Sequence, residues 1–213
     1  MFDRVYVIHL PDAERRASIE AELAKIGVSD AEFVHASPPR GRYPNMRRNP
    51  AVEMGCNLSH FKAIVKAAIS GARRPLFLED DVCIQNDAIS RLKAAESVLR
   101  PSWDILYLGG HPRGKIKAKI NDNLVKIGLF SFAESYILNG ASIPSFIDYW
   151  FDRIGRPNAM IDFILGEWAA DNEGFAVYPA LTAQKQFKSK ISNKVDHKEN
   201  LILKGWTNCW PGS

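Results

Sequence analysis

The sequence lacks the glycine-rich loops through which many nucleotide-binding proteins hold phosphate groups. Neither GxGxxG nor GxxxxGK(S/T) occurs anywhere in its 213 residues. Such loops bind phosphates through closely approaching backbone amides. Their absence excludes the common glycine-rich phosphate-binding sites for dinucleotides and ATP. A phosphate group bound by this chain would have to be held by side chains or by a metal ion.

Cysteine is scarce, and its spacing forms neither a zinc nor a disulfide pattern. The three cysteines, Cys56, Cys83 and Cys209, contain no CxxC pair. An odd and widely spaced set is typical of a reduced compartment, and it indicates neither a disulfide framework nor a zinc module.

Long apolar runs and a strong net charge are also absent. No stretch approaches the ~18 apolar residues that can span a bilayer, and the N-terminal run Val5–Ile8 is too short for the apolar part of a signal peptide. The net charge of +4 is too small to indicate a nucleic-acid partner by itself. We therefore expect a cytoplasmic protein that is soluble or peripheral at the inner face of a membrane.

Short apolar segments alternate with helical patterns along the chain. The predicted strands are Val5–Leu10, Glu32–Ala36, Leu76–Leu78, Ile105–Leu108, Ser135–Leu138 and Phe175–Tyr178. The predicted helices are Ala13–Ile26, Cys56–Ile69, Asp87–Leu99, Ile143–Ile154 and Ile161–Ala170. This alternation predicts a single α/β domain, in which a mostly parallel, Rossmann-like sheet is flanked by helices.

Two segments have the composition of loops rather than of regular elements. Residues 37–50 contain four prolines and the basic side chains Arg40, Arg42, Arg47 and Arg48. A loop of this length is a candidate lid or binding segment. The C-terminal tail is basic and carries Trp206 and Trp210.

An acidic triplet, Glu79-Asp80-Asp81, directly follows the apolar run Pro75–Leu78. Charges at the end of a buried strand are costly unless they are used, and α/β sheets place ligands at the carboxyl ends of their strands. On an extended chain Glu79 and Asp81 would point to one side and Asp80 to the other. Two carboxylates on one side suit Mg²⁺ or Mn²⁺. The alternative is a solvated turn or a helix N-terminus.

Several fragments occur in the order found in a known family. They are Val5–Leu10 with Glu14-Arg15-Arg16, the ExGCxxSH segment Glu53–His60, Leu78–Val82, Trp103–Gly109, Ser135-Tyr136, Ile161-Asp162, and Val177–Pro179 with Leu181 and Gln184. Together these fragments resemble glycosyltransferase family 25, the lipopolysaccharide and collagen galactosyltransferase-like group. The most specific part is the ExGCxxSH segment, which lies about twenty residues before LEDDV.

This resemblance implies a GT-A type fold over residues 1–192, with 193–213 as a separate basic and aromatic tail. It also implies transfer of a hexose, often galactose from UDP-galactose, with inversion at the anomeric carbon. The implied partners are a nucleotide-sugar donor and a glycan or glycolipid acceptor such as lipopolysaccharide. The implied cofactor is Mn²⁺ or Mg²⁺.

The resemblance also assigns roles to the acidic triplet. Asp81 and Glu79 would be the metal ligands, since a divalent ion stabilises a departing nucleoside diphosphate. Glu79 and Asp80 would hold ribose or donor-sugar hydroxyls.

The resemblance also implies contacts with the sugar donor in the ExGCxxSH segment and a contact with the sugar acceptor near residue 184. Cys56, Ser59 and His60 would bind the donor at a predicted helix N-terminus, where backbone amides are available. The alternative is that Asn57 caps this helix and His60 fills a polar gap. Gln184 would line the acceptor side.

Inverting transfer requires a base that takes the proton of the attacking hydroxyl. Asp162 is the candidate, because it lies at a predicted helix start downstream of the acidic triplet. The alternative is that Asp162 is a helix N-cap. Glu167 and Asp171 are further candidates for the base, and both also fit solvated helix faces.

Two other functions stay open from the sequence. The basic loop and tail would tolerate phosphates, so the acceptor of the sugar could be a nucleic acid. A non-catalytic protein that binds a nucleotide sugar is the other alternative.

Overall fold

The computed structural model describes residues 1–37, 50–156 and 159–185. The arginines of the predicted basic loop, Arg40, Arg42, Arg47 and Arg48, lie outside the described residues. The predicted tail 193–213 and the end of the predicted domain at 186–192 lie outside them as well, so the domain boundary stays a prediction.

Twelve strands and five helices make up the described part of the chain. The helices are α1 Ala13–Lys25, α2 Pro50–Ile69, α3 Ala88–Glu96, α4 Ile143–Arg153 and α5 Ile161–Asp171. The first six strands are β1 Arg4–His9, β2 Glu32–His35, β3 Pro75–Glu79, β4 Val82–Ile84, β5 Ile105–Tyr107 and β6 His111–Pro112. The others are β7 Ala118–Lys119, β8 Leu124–Lys126, β9 Phe130–Ser131, β10 Ser135–Leu138, β11 Gly174–Val177 and β12 Thr182–Gln184.

Eight of the strands form one central sheet in the order β2-β1-β3-β10-β5-β11-β8-β7. β10 and β8 run against their neighbours, and the other six strands share one direction. The predicted mostly parallel sheet is therefore confirmed, with reversed strands at two positions. Two small antiparallel pairs, β12 with β4 and β6 with β9, lie beside it.

Alternate residues of the strands pack on opposite faces of the sheet, as strand geometry requires. On β3, Phe77 packs with side chains of α2, α4 and α5, whereas Leu76 and Leu78 pack with side chains of α1 and α3. Helices thus cover both faces, which confirms the predicted α/β class. No helix in the described ranges has the length and apolar character needed to cross a bilayer.

The position of α2 corrects one prediction. The helix begins at Pro50 rather than at Cys56, because proline is well suited to a first helical turn. Gly55 lies inside the helix and does not open it. The short strands β4, β6, β7, β8, β9 and β12 were not predicted. They have two or three residues each and, unlike the equally short β5, they are not part of a longer apolar run.

Candidate functional site

The candidate site lies where β3 and β5 end and the reversed strand β10 begins. Ser135 of β10 pairs with Leu78 of β3. The backbone N–H of Glu79 donates to the carbonyl of Glu134 at 2.9 Å, and that of Leu108 donates to Ser135 at 3.1 Å. Carboxyl ends of strands at a change of strand order are where open α/β sheets form ligand crevices.

Glu79 is contacted by side chains from two other elements, and a third element supports one of these side chains. Its Oε1 lies 3.2 Å from Nε2 of His60 on α2, and its Oε2 accepts from Nε2 of Gln184 on β12 at 2.9 Å. Nδ1 of His60 in turn lies 3.0 Å from the hydroxyl of Tyr136 on β10. The structure therefore brings together three residues that the sequence analysis assigned to substrate binding.

Tyr136 keeps its proton at neutral pH. Its burial raises the pKa of Tyr136 well above the ordinary value of 10.0, and the nearby Tyr107, Glu79, Cys56 and Asp162 raise it further. An ionised carboxylate can only accept a hydrogen bond, whereas a neutral imidazole has one donor and one acceptor nitrogen. The tautomer that fits both contacts carries its proton on Nε2, which donates to Glu79, and accepts at Nδ1 from the tyrosine O–H.

Cys56 completes a second grouping around the same histidine. It lies one turn before His60 on α2, and its thiol, a ring nitrogen of His60 and a carboxylate oxygen of Glu79 lie within 4.8 Å of one another. Within the described ranges this is the one group of three or more Cys, His, Asp or Glu side chains placed to hold a metal ion. Asp81, the predicted metal ligand, is not a member of it.

Asp80 points to the opposite face of the sheet and is held by α1. Its Oδ1 accepts from Nη1 of Arg15 at 2.5 Å, and its Oδ2 accepts from the backbone N–H of Leu10 at 2.7 Å. Asp80 is only 4% exposed. A structural role fits this side chain better than the predicted contact with a sugar, because protein donors already engage both oxygens.

Asp81 lies near the guanidinium that pairs with Asp80. The same Nη1 atom of Arg15 is 3.6 Å from Oδ2 of Asp81. The extended chain assumed from the sequence does not continue past Glu79, where β3 ends and a turn begins. A hard cation bound at Asp81 would therefore have to compete with the guanidinium of Arg15, and the predicted metal site at Glu79 and Asp81 stays a prediction.

Arg15 is a permanent charge in this part of the site. Burial works to lower the pKa of Arg15, but the charges of Asp80, Asp81 and Asp12 outweigh that effect and raise the pKa above its ordinary value. No local pattern in the sequence indicated this ion pair, because Asp80 lies 65 positions from Arg15 in the chain.

Ser59 and Asn57 do not occupy a helix N-terminus, because α2 begins at Pro50. The premise that Cys56, Ser59 and His60 lie at a helix N-terminus with available backbone amides is therefore wrong, and so is the alternative that Asn57 caps this helix. Ser59 is buried, donates to the carbonyl of Gly55 at 2.5 Å and accepts from the N–H of Ser37 at 2.8 Å. Asn57 donates to the carbonyl of Ala159 at 2.5 Å. Both side chains tie α2 to neighbouring segments.

Asp162 lies in the first turn of α5, and the N-cap of that helix is Met160. The alternative that Asp162 is the cap is therefore wrong. Burial, followed by the charges of Asp162 and Glu134, raises the pKa of Tyr107 well above its ordinary value. The charge of Asp162 also raises the pKa of Tyr136, which places Asp162 in the neighbourhood of both buried tyrosines.

Glu134 is a site residue that the sequence analysis missed. It is fully buried directly before β10. A Cβ atom on Gly109 would lie 2.7 Å from its Oε1 and 2.3 Å from Oγ1 of Thr182, so only glycine fits at the end of β5. The sequence feature that could have indicated it is an acidic residue between Ala133 and the apolar strand β10. A charge buried at such a position is costly unless it has a partner or a function.

Comparisons with known proteins identify a sequence likeness of moderate strength. No family model matches the chain. The chain is 25% identical to the probable inactive glycosyltransferase 25 family member 3 of Rattus norvegicus, over 87% of this chain and 39% of that protein. It is also 25% identical to the inactive glycosyltransferase 25 family member 3 of Mus musculus, over 87% of this chain and 37% of that protein. The chain thus spans less than half the length of these curated relatives.

Solved structures overlap only loosely with this fold. A glycosyltransferase involved in glycosylation of the major capsid of PBCV-1 matches with a TM-score of 0.43 and 9% identity, covering 84% of this chain and 96% of that chain. Mannose-1-phosphate geranyltransferase from Thermus thermophilus matches with a TM-score of 0.46 and 12% identity, covering 82% of this chain and 74% of that chain. Overlaps of this size carry no argument about function. By its sequence the chain is glycosyltransferase-like.

Proposed function

We propose that this chain is an inverting glycosyltransferase that moves a hexose from a nucleotide sugar to a glycan. The observation that carries the proposal is the convergence of Glu79, His60, Gln184 and Asp162 at one edge of the sheet. The sequence likeness to glycosyltransferase 25 family members supports the same reading. It favours galactose carried by UDP as the donor and lipopolysaccharide or another glycan as the acceptor.

Glu79 is the donor-binding carboxylate in this proposal. Its side chain is 21% exposed, so it can still accept a hydrogen bond from a ribose or sugar hydroxyl. His60 and Gln184 fix its orientation from both sides, which lowers the entropy lost when a donor binds. Gln184 thereby acts through Glu79, in addition to the predicted place on the acceptor side.

Asp162 is the proposed base. It takes the proton of the acceptor hydroxyl while the hydroxyl oxygen bonds to the anomeric carbon and the nucleoside diphosphate leaves with the electrons of the broken bond. Its place in the first turn of α5 favours the ionised carboxylate, because the positive end of the helix dipole lies there. Mn²⁺ or Mg²⁺ at Asp81 and Glu79 stays a prediction, and no step here depends on it.

A second candidate is a protein that binds nucleotide sugars without turnover. The observation that favours it is that the relative from rat is named a probable inactive member and the relative from mouse an inactive member. Binding without transfer would use the same edge of the sheet but would not need Asp162.

The experiment measures donor binding and turnover for the same variants. With a panel of UDP-sugars, Asp162→Asn should lower kcat and kcat/KM by about 10²–10⁴-fold and leave the donor Kd unchanged, because a base acts in the transition state. Asp152→Asn, an exposed aspartate on α4, is the matched control and should keep wild-type rates.

The outcomes separate the two candidates. Binding of a UDP-sugar by the wild-type chain without hydrolysis or transfer would favour the non-catalytic protein. A normal kcat for Asp162→Asn would remove this residue as the base. Absence of any nucleotide-sugar binding would contradict both candidates.

A further inference from the structure

We propose that Cys56, His60 and Glu79 form a binding site for a cation of borderline softness such as Zn²⁺, whether or not the chain transfers a sugar. The three side chains come from two elements that the fold fixes against each other, the middle of α2 and the end of β3.

The spacing of the ligand atoms suits a tetrahedral ion. Cys56 and His60 are four residues apart on α2, which places them on the same helix face. Zinc bonds of ~2.0–2.3 Å separate tetrahedral ligand atoms by roughly 3.3–3.7 Å. Nε2 of His60 is already 3.2 Å from Oε1 of Glu79, and all three ligand atoms lie within 4.8 Å of one another. Small side-chain rotations therefore close the site.

The side chains that hydrogen-bond to the proposed ligands are of the kind that orients ligands in metal sites. Metal-binding histidines usually have their second ring nitrogen fixed by a hydrogen bond, and ligating carboxylates are hydrogen-bonded as well. Here the Tyr136 hydroxyl contacts Nδ1 of His60 at 3.0 Å, and Gln184 donates to Glu79 at 2.9 Å. With an ion on Nε2, the ring proton moves to Nδ1 and is donated to the tyrosine oxygen.

The type of ligand selects the class of cation. A thiolate and an imidazole favour Zn²⁺, whereas Mg²⁺ and Mn²⁺ favour oxygen ligands. Binding releases the thiol proton of Cys56 to solvent, so affinity should fall as the pH is lowered. His60 is buried, whereas Cys56 and Glu79 are half-buried, so an ion can enter from solvent. Three protein ligands leave a fourth position for water or another small ligand.

The test measures zinc binding to the tag-free full chain by competition with a chelator of known affinity. The wild-type chain should bind one Zn²⁺, and Cys56→Ser should weaken that binding by about 100-fold or more, since loss of even an outer-shell partner costs 10–100-fold. Cys83→Ser is the matched control, because Cys83 is also half-buried but lies on β4 outside the ligand group. It should bind zinc like the wild type.

Cobalt and a second variant make the result decisive. Co²⁺ added to the wild-type and Cys83→Ser chains should give the near-ultraviolet absorption of a cobalt–thiolate bond, and Cys56→Ser should lack it. Glu79→Gln, which keeps the shape of the side chain, should also weaken zinc binding. Melting temperatures in EDTA establish that the variants fold. The proposal would be overturned if Cys56→Ser and Glu79→Gln bound zinc as tightly as the wild type. It would also be overturned if Cys83→Ser lost as much zinc affinity as Cys56→Ser.

Discussion

Glu79 and Asp80 are neighbours in the chain, yet they lie in two opposite environments. Glu79 faces α2, is partly exposed and is held by His60 and Gln184. Asp80 faces α1, is buried and is paired with the guanidinium of Arg15. One carboxylate is positioned for a ligand by groups that leave its charge available. The other has its charge neutralised by the protein itself.

The difference shows how the end of a strand divides an acidic motif between two tasks. β3 ends at Glu79 and a turn begins at Asp80, so Glu79 contacts α2 on one face of the sheet and Asp80 contacts α1 on the other. A buried charge destabilises the fold unless it is paired and hydrogen-bonded. The pairing of Asp80 with Arg15 meets that requirement and anchors α1 to the end of β3, where Glu79 must be held in place.

The largest effect is expected from Asp80→Asn. This change leaves Arg15 buried beside a neutral side chain, and breaking one partner of a buried pair costs about 3–5 kcal/mol of unfolding free energy. Urea denaturation at neutral pH measures it. Arg16→Gln is the control, since Arg16 forms an exposed pair with Glu20 and exposed pairs contribute about 0–1 kcal/mol. Equal stability losses for the two variants would show that the Asp80 pair is not a structural anchor.

An intermediate loss of stability is expected from Glu22→Gln, since Glu22 lies on α1, the helix that Asp80 contacts. Glu22 is buried, and it accepts from Lys25, from the backbone N–H of Ile84 and, through an ion pair at 2.8 Å, from Lys185. Hydrogen bonds to charged groups contribute about 1.5–3 kcal/mol, so unfolding free energy at neutral pH should fall by that order. Chemical denaturation of both chains measures the difference.

The pH dependence gives this variant a distinct signature. Burial acts to raise the pKa of Glu22, but the two lysines and the Ile84 amide outweigh it and hold the pKa below the ordinary value of 4.5. A depressed pKa in the folded state stabilises above the unfolded pKa, and that stability is lost as the pH falls through the folded value. Wild-type stability should therefore decline more steeply below pH 4.5 than that of Glu22→Gln. Parallel curves would contradict the role of Glu22.

The smallest effect on stability is expected from Glu79→Gln. The side chain is 21% exposed, and pairs that solvent reaches contribute about 0–1 kcal/mol, so the free energy of unfolding should change by less than about 1 kcal/mol. The same variant should weaken binding of a UDP-sugar, because the donor loses a charged acceptor. Thermal melting combined with donor titration measures both. A stability loss as large as that of Asp80→Asn would remove the contrast between the two faces.

Local sequence patterns were sufficient for most of the fold. The strand Ser135–Leu138 has the predicted bounds, and β1, β3, β5 and β11 differ from the predicted strands by one residue at their ends. These elements are recognisable because each has a continuous apolar run bounded by loop residues. The start of α2 was missed, because a glycine inside a helix has the same appearance in the sequence as a glycine at its end.

The sequence by itself determined the α/β class and the acidic triplet at a strand end, since both depend on residues that are close together in the chain. Only the tertiary structure decided which partner each carboxylate meets. His60 is 19 positions from Glu79, Arg15 is 65 positions from Asp80, and Gln184 is 105 positions from Glu79. Such contacts follow from the order of strands and the packing of helices on each face, and no local periodicity encodes that order.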